Sequence, residues 1–241
     1  MRTVALLTGR GNNTLNDKNV LDVLGKPVLY YIANSARQCP EIDAWYCSSD
    51  DEKILLAAEA IGYKKIVRPK ELALPTSQHI EAILHALKVI ADTDINPEIC
   101  VVLLANNITI KSQWITDCIL KMKNDMSITA VVPVYVDNDH HPLRAKSLNP
   151  DGTLSMYEKN VTEKISTNRQ DLPSCYFLAH NFWVLNVKNL RSGNQGQPPW
   201  EFMGNKLVPY MLDVSIDIHH EVDLILAKEW LSKNYSDLST I

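Results

Sequence analysis

Short apolar runs alternate with stretches whose apolar residues recur every three or four positions, and that alternation predicts strands separated by amphipathic helices. The first run, Val4-Ala5-Leu6-Leu7, is too brief for a helix and suits a buried strand. Leu21 to Pro27 reads as a tight connection, and Val28 to Cys39 as a helix with Val28, Tyr31, Ile32 and Ala36 along one side. Strands follow over Ile42 to Ser48, Lys64 to Val67, Ile99 to Leu104, Met126 to Val136 and Tyr176 to Val187. Helices are expected over Glu52 to Ile61, from near Ser77 to Leu87, over Gln113 to Lys123 and over Leu224 to Leu231. Ile99 to Leu104, the most hydrophobic run, has the composition of a central parallel strand. Asp50 or Asp51 is placed to cap the second helix, and Gly62 to close it. No internal repeat is present, and the polar stretch from Gly193 to Pro199 is too short to link two domains.

The loop after the first strand carries the first chemical signal. Gly9 and Gly11 let backbone N–H groups approach a ligand, Arg10 suits bidentate contact with phosphate, and Lys18 adds a point charge. Strand, loop and helix together make half of a nucleotide-binding α/β unit. The loop fits neither the Walker nor the dinucleotide fingerprint, and glycine-rich turns also occur where nothing binds.

Composition narrows the class. A chain of 241 residues, 46% hydrophobic, can bury a full core as one large α/β domain. Five cysteines, an odd number without CxxC spacing, argue against a disulfide framework or a zinc site, and for small core residues in a reducing cytosol. No apolar run approaches the ~20 residues of a membrane span, and the chain enters its first strand directly, so a soluble cytoplasmic protein is expected. A net charge of −4 without a basic tract makes nucleic acid a poor partner. His140-His141-Pro142 lacks a third metal ligand and i,i+4 spacing, so it does not read as a metal site.

Motifs along nearly the whole chain, from Val4 to about Leu231, resemble the CMP-sialic acid synthetase family of cytidylyltransferases. Arg10-Gly11 and Lys18-Asn19 match the two ends of that family's loop, roughly A-R-G-G-S-K-G-x-x-x-K-N; Asn12-Asn13-Thr14 replaces its G-S-K core, in a loop one residue shorter. Ser48-Ser49-Asp50-Asp51 resembles its S-T-D-D, Arg68-Pro69 and Leu72-Ala73 its R-P-x-x-L-A, and Asn168 to Pro173 its R-R-Q-D-L-P. Ser215-Ile216-Asp217-Ile218-His219 resembles its S-I-D-I-D, with His219 at the second aspartate. Three further departures stand out: His79 occupies the place of a nucleotide-contacting serine, Ala105 that of a sugar-facing glutamine, and Ala179-His180-Asn181 that of N-G-A.

The resemblance implies a Rossmann-like α/β nucleotidyltransferase of the nucleotide-diphospho-sugar transferase type, a single domain over 1–241. Its sheet would be mixed and mostly parallel, with a small dimerisation and sugar-covering lobe at about 138–175. It implies transfer of CMP from CTP to an acidic 2-keto-3-deoxy sugar, in a homodimer, with magnesium or manganese. Carried over by position, the nucleotide set is Leu7, Gly9, Arg10, Gly11, Asn12, Asn13, Lys18, Asn19, Arg68 and His79. Arg169, Gln170 and Asn181 join the sugar set with Asn106 and Asn107, which stand beyond a strand end and are equally good turn formers. Asp217 and His219 form the metal pair, and Arg10, Lys18 and Asp217 the catalytic set. Imidazole serves a hard oxygen-seeking ion poorly, so phosphates and water would complete its shell, or the ion would be softer. The departures also leave open a nucleotide-binding relative without turnover, or a transferase for another base or sugar.

Overall fold

A computed structural model describes residues 1–11, 15–93, 95–161, 164–193 and 196–235. Among these the apolar runs pair into one eight-stranded sheet. Its parallel half comprises β1 (Thr3–Thr8), β4 (Ala44–Ser49), β5 (Lys64–Val67) and β6 (Ile99–Leu104), with β1 between β4 and β6: Leu7 lies opposite Cys47 on one side and Leu103 on the other. Between β1 and β4 the chain forms a hairpin, β2 (Asp22–Val23) and β3 (Lys26–Pro27), turning at Leu24 and Gly25, which both take positive φ as a two-residue hairpin requires.

Beyond β6 the sheet becomes mixed. β7 (Ala130–Val136) is flanked by β11 (Phe182–Asn186), antiparallel to both β6 and β7, and by β12 (Leu207–Met211), parallel to β7. The single strand expected over Tyr176 to Val187 is two: β10 (Tyr176–Leu178) pairs Leu178 with Val134, whereas β11 pairs Val184 with Val131, so the register shifts across 179–181. A bulge of this kind bends the strand and redirects side chains. The small lobe carries the hairpin β8 (Lys146–Leu148) and β9 (Leu154–Met156) around the expected Asn149 to Gly152 turn.

Because successive strand residues face opposite ways, the sheet serves two cores. Ala5, Leu7, Val101 and Leu103 face α1 (Val28–Arg37), α2 (Glu52–Glu59) and α4 (Ser112–Asn124). Val4, Leu6, Cys100 and Val102 face α3 (His79–Ala91) and α5 (Val187–Ser192). Leu6, Leu7 and Leu103 are fully buried, each worth roughly 1.5–3 kcal/mol of transfer free energy. A third cluster joins Ile108 and Ile218 to the β2–β3 hairpin and to α6 (Glu221–Asn234), which is longer at both ends than the expected Leu224 to Leu231. Cys39, Cys47, Cys100 and Cys118 are buried in the cores, Cys175 is partly exposed, and all five are free thiols. No helix among the described residues is long and apolar enough to cross a membrane.

Candidate active site

The topology dictates where a ligand can sit. From β1 the chain moves outward to β4 and β5, then crosses back to place β6 on the other side of β1. Crossovers on either side of β1 leave a crevice beyond the carboxyl ends of β1 and β6, the usual ligand position in open α/β sheets. A cavity of about 220 Å³ occupies that place, lined by Thr8, Gly9, Arg10, Lys18, Asn19 and Arg68, and on its far side by Ser77, Gln78, His79 and Asn106.

The loop is held from several directions. A Cβ on Gly9 would lie 3.1 Å from Ile54 Cγ2 and 3.3 Å from Ala105 Cβ, so glycine lets the loop leave β1 against α2. The Gly11 N–H donates to Asp50 Oδ1 at 3.1 Å, while Asp51 Oδ1 accepts from the Lys53 N–H at 2.8 Å. The acidic pair is thereby divided: Asp51 caps α2 and Asp50 ties down the loop. Asn19, buried, donates through Nδ2 to Arg10 O at 3.2 Å, and an Arg10 guanidinium N–H donates to Leu74 O at 2.9 Å. Lys18, half-buried, has its ammonium pKa lowered by burial and by Arg10, against the opposing pull of Asp217.

Arg68 is 6% exposed, with Nε 3.2 Å from Ser48 Oγ and Nη2 2.7 Å from Ser48 O. Three cationic side chains thus face one cavity. Beside them, Thr8 Oγ1 donates to Leu103 O at 3.2 Å and lies 3.0 Å from His79 Nε2, which must therefore carry the proton of a neutral ring. Burial, followed by Arg68 and His180, lowers the His79 pKa to about 4. The unfolded-state value is about 6.5, so between these values the unfolded chain binds more protons and stability falls as pH drops from about 6.5 to about 4. We expect His79→Gln, which keeps a donor for Thr8, to remove roughly 2 kcal/mol of that acid sensitivity. Urea unfolding at pH 7 and pH 4.5 measures it; equal acid losses in both proteins would disprove it.

A segment far along the chain packs behind the cavity at Asn106. Residues 215–218 form no strand; Asp217 makes a lone antiparallel bridge with Asn107, and the Ile218 N–H donates to Asn106 O at 2.9 Å. Burial pushes the Asp217 carboxyl up to about 6, against the hydrogen bond from Asn107 and the nearby Lys18 charge. His219 Nε2 is 3.9 Å from Asp217 Oδ2, and Asp223 Oδ2 accepts from the N–H groups of His219 and His220 at 2.8 Å, capping α6. Asp217 and His219 supply two donors, and no group of three His, Cys, Asp or Glu side chains among the described residues could hold a metal ion. A hard divalent cation would need further oxygens, as phosphates provide.

Several expected contacts lie elsewhere. Leu7 points its side chain into the core, and Asn107 and Asn181 are wholly buried. Asn107 bonds to Asp217, Ser215, Thr109 and His180, and Asn181 Nδ2 donates to Thr109 O at 3.2 Å, so neither amide faces the cavity. Polar residues at a strand end here satisfy buried backbone that the irregular 179–181 and 215–218 segments leave unpaired. Arg169 and Gln170 line a separate recess in the lobe with Asp137, Asn138 and Asp139, and Arg169 is ion-paired with Asp139. His140 pairs with Asp137 at 2.6 Å. Asn12 and Asn13 lie outside the described residues. Thr8 and Gln78 line the cavity without a motif pointing to them, the strand end at Thr8 being the one signal, while Ser48 and Asp50 stand behind the lining and hold Arg68 and Gly11.

The profile of the cytidylyltransferase family matches residues 10–180, well over half of the chain. An N-acylneuraminate cytidylyltransferase of Escherichia coli is 34% identical over 95 residues, 38% of this chain and 23% of the relative. A pseudaminic acid cytidylyltransferase of Campylobacter jejuni is 30% identical over 92 residues, 37% of this chain and 40% of the relative. The chain thus matches less than half the length of either relative. The solved structure of CMP:2-keto-3-deoxy-manno-octonic acid synthetase complexed with CTP superposes with a TM-score of 0.69 at 13% identity, covering 97% of this chain and 99% of that one. The 4-diphosphocytidyl-2C-methyl-D-erythritol synthase of Anaerococcus prevotii gives 0.64 at 13% identity, covering 96% and 98%. At these identities the two structures establish the fold alone: an α/β fold of the kind seen in these two synthetases, with a mixed, mostly parallel sheet.

Proposed function

The chain belongs to the cytidylyltransferase family, and from that premise we propose that it transfers the CMP group of CTP to a hydroxyl of an acidic 2-keto-3-deoxy sugar, releasing pyrophosphate. The observation that carries this reading is the convergence of Arg10, Lys18 and Arg68 on one cavity at the crossover point, with Asp217 within reach of the Lys18 charge. The sugar oxygen would bond to the α-phosphorus as the bond to pyrophosphate breaks, its proton leaving to solvent. Arg10 and Lys18 would draw charge from the phosphates, and Arg68 and Asn19 would fix the nucleotide's orientation. Asp217 and His219 would hold a divalent cation together with the phosphates; such a cation would supply further charge neutralisation. Asn106 remains at the rim for sugar hydroxyls.

The test is a pyrophosphate-release screen of four nucleoside triphosphates against nonulosonic and octulosonic acids, with magnesium or manganese. CTP with an acidic sugar should stand out; equal turnover with all four nucleotides would defeat the cytidylyl reading. A second reading, nucleotide binding without turnover, is favoured by His219 standing where a second carboxylate would strengthen cation binding. CTP binding with no pyrophosphate from any sugar would select it.

The lobe supports a twofold dimer. Leu148 is 74% exposed and Leu154 67%, directly opposite each other on the β8–β9 hairpin, an apolar surface suited to a second copy. Light scattering should give about twice the 27.2 kDa chain mass at micromolar concentration; a monomer would count against it. In such a dimer the lobe carrying Arg169 and Gln170 would cover the sugar.

A further inference from the structure

Asn107 has no freedom left in its side chain. Its Oδ1 accepts from the Thr109 N–H at 2.9 Å and from Thr109 Oγ1 at 2.8 Å. Its Nδ2 faces Ser215 Oγ at 3.0 Å, His180 O at 3.3 Å and Asp217 Oδ1. Its backbone bridges Asp217, and the neighbouring Ile108 and Ile218 are fully buried, so the amide cannot swing away. Asp217 is thereby fixed with Oδ1 occupied by an amide hydrogen, leaving Oδ2 toward His219. A cation reaching Oδ2 would also meet the field of Lys18, which interacts with Asp217.

We propose that Asn107 is a positioning residue that holds Asp217 in a one-oxygen presentation, while the neighbouring Asp223 is engaged by the N–H groups of His219 and His220, so that a divalent cation enters with the nucleotide's phosphates and not ahead of them. The inference rests on the CTP reading above. A single carboxylate oxygen and one imidazole are too few donors for a hard ion to shed its water, whereas a triphosphate supplies several oxygens at once. Asparagine supplies what aspartate could not: a donor to Asp217 without a like charge beside it.

Manganese titration followed by the electron paramagnetic resonance of the free ion, with and without CTP, tests this directly. Wild type should take up little manganese below ~1 mM alone and one ion per chain with CTP, as expected for a site short of its own oxygen donors. Asn107→Asp should take manganese without nucleotide at least about tenfold more tightly than wild type, because two carboxylates would then share the ion. Asn107→Ala should leave metal-free CTP binding unchanged by calorimetry while weakening nucleotide-dependent manganese uptake about tenfold, a split that general loosening would not give. Tight manganese binding by wild type without CTP overturns the inference, as does a folded Asn107→Asp chain that gains nothing. The wild-type comparison stands whether or not either variant folds. A chain that binds no CTP brings down the functional reading and this inference together; one that binds CTP yet takes manganese unaided overturns this inference alone.

Discussion

Asp217→Asn should lower pyrophosphate release by roughly 10²–10³-fold or more, while metal-free CTP binding stays within about threefold of wild type. The substitution is nearly isosteric, and the new side chain can still accept the hydrogen bond from Asn107 through its oxygen. It removes a ligand charge, not a contact to the base. It should also leave the fold intact or firmer, because the native carboxyl is held at about 6 chiefly by burial, and a neutral amide avoids that cost. Loss of turnover with undiminished thermal stability is therefore the expected signature, and unchanged turnover would remove Asp217 from the catalytic set. His219→Asp, offering an oxygen ligand beside Asp217, should preserve or strengthen magnesium-dependent turnover. A drop in activity there would point to the imidazole acting on substrate or on a softer ion.

Gly204→Ala should destabilise the protein by about 3–4 kcal/mol without touching the cavity. Gly204 has φ +78° and ψ −163°, a conformation open essentially to glycine alone. An added Cβ would lie 2.7 Å from Thr129 Cβ and 2.8 Å from both terminal atoms of the Asn189 side chain. Neither neighbour is free to yield: Thr129 exchanges bonds with Lys206, and Asn189 Nδ2 donates to Phe202 O at 3.1 Å. Urea unfolding measures the effect, and a loss below about 1 kcal/mol would show that the turn relaxes easily.

Much of the fold was legible because buried parallel strands leave a signal that depends on little else. Ile99–Leu104 and Lys64–Val67 coincide with the expected strands, and α1, α2 and α4 fall within a few residues of the helices read from periodicity. The break at 179–181 was hidden because Ala179 and Asn181 remain buried, so composition gives no sign of the register shift. Residues 215–218 likewise carry a strand's alternation but find only one bridge partner. In the site, Arg10, Lys18, Asn19, Arg68 and His79, named by position in a motif, were found to line one cavity. Asn107 was not, since an asparagine that serves buried backbone and one that faces a ligand look alike in sequence. The role of Asp50 was equally invisible, because its partner is a backbone N–H thirty-nine positions away.

The bridge between Asn107 and Asp217 has a bearing on how the protein is made. Its cavity draws Thr8 and Lys18 from the start of the chain and sets them against a carboxylate that leaves the ribosome some two hundred residues later. A nascent chain can pair β1 with β4 and β6 and still lack that corner, so nucleotide affinity conferred by the early loop would precede competence for metal-dependent chemistry during synthesis. On the proposed reading, loading a cation would then be a late report that two segments some two hundred residues apart have met.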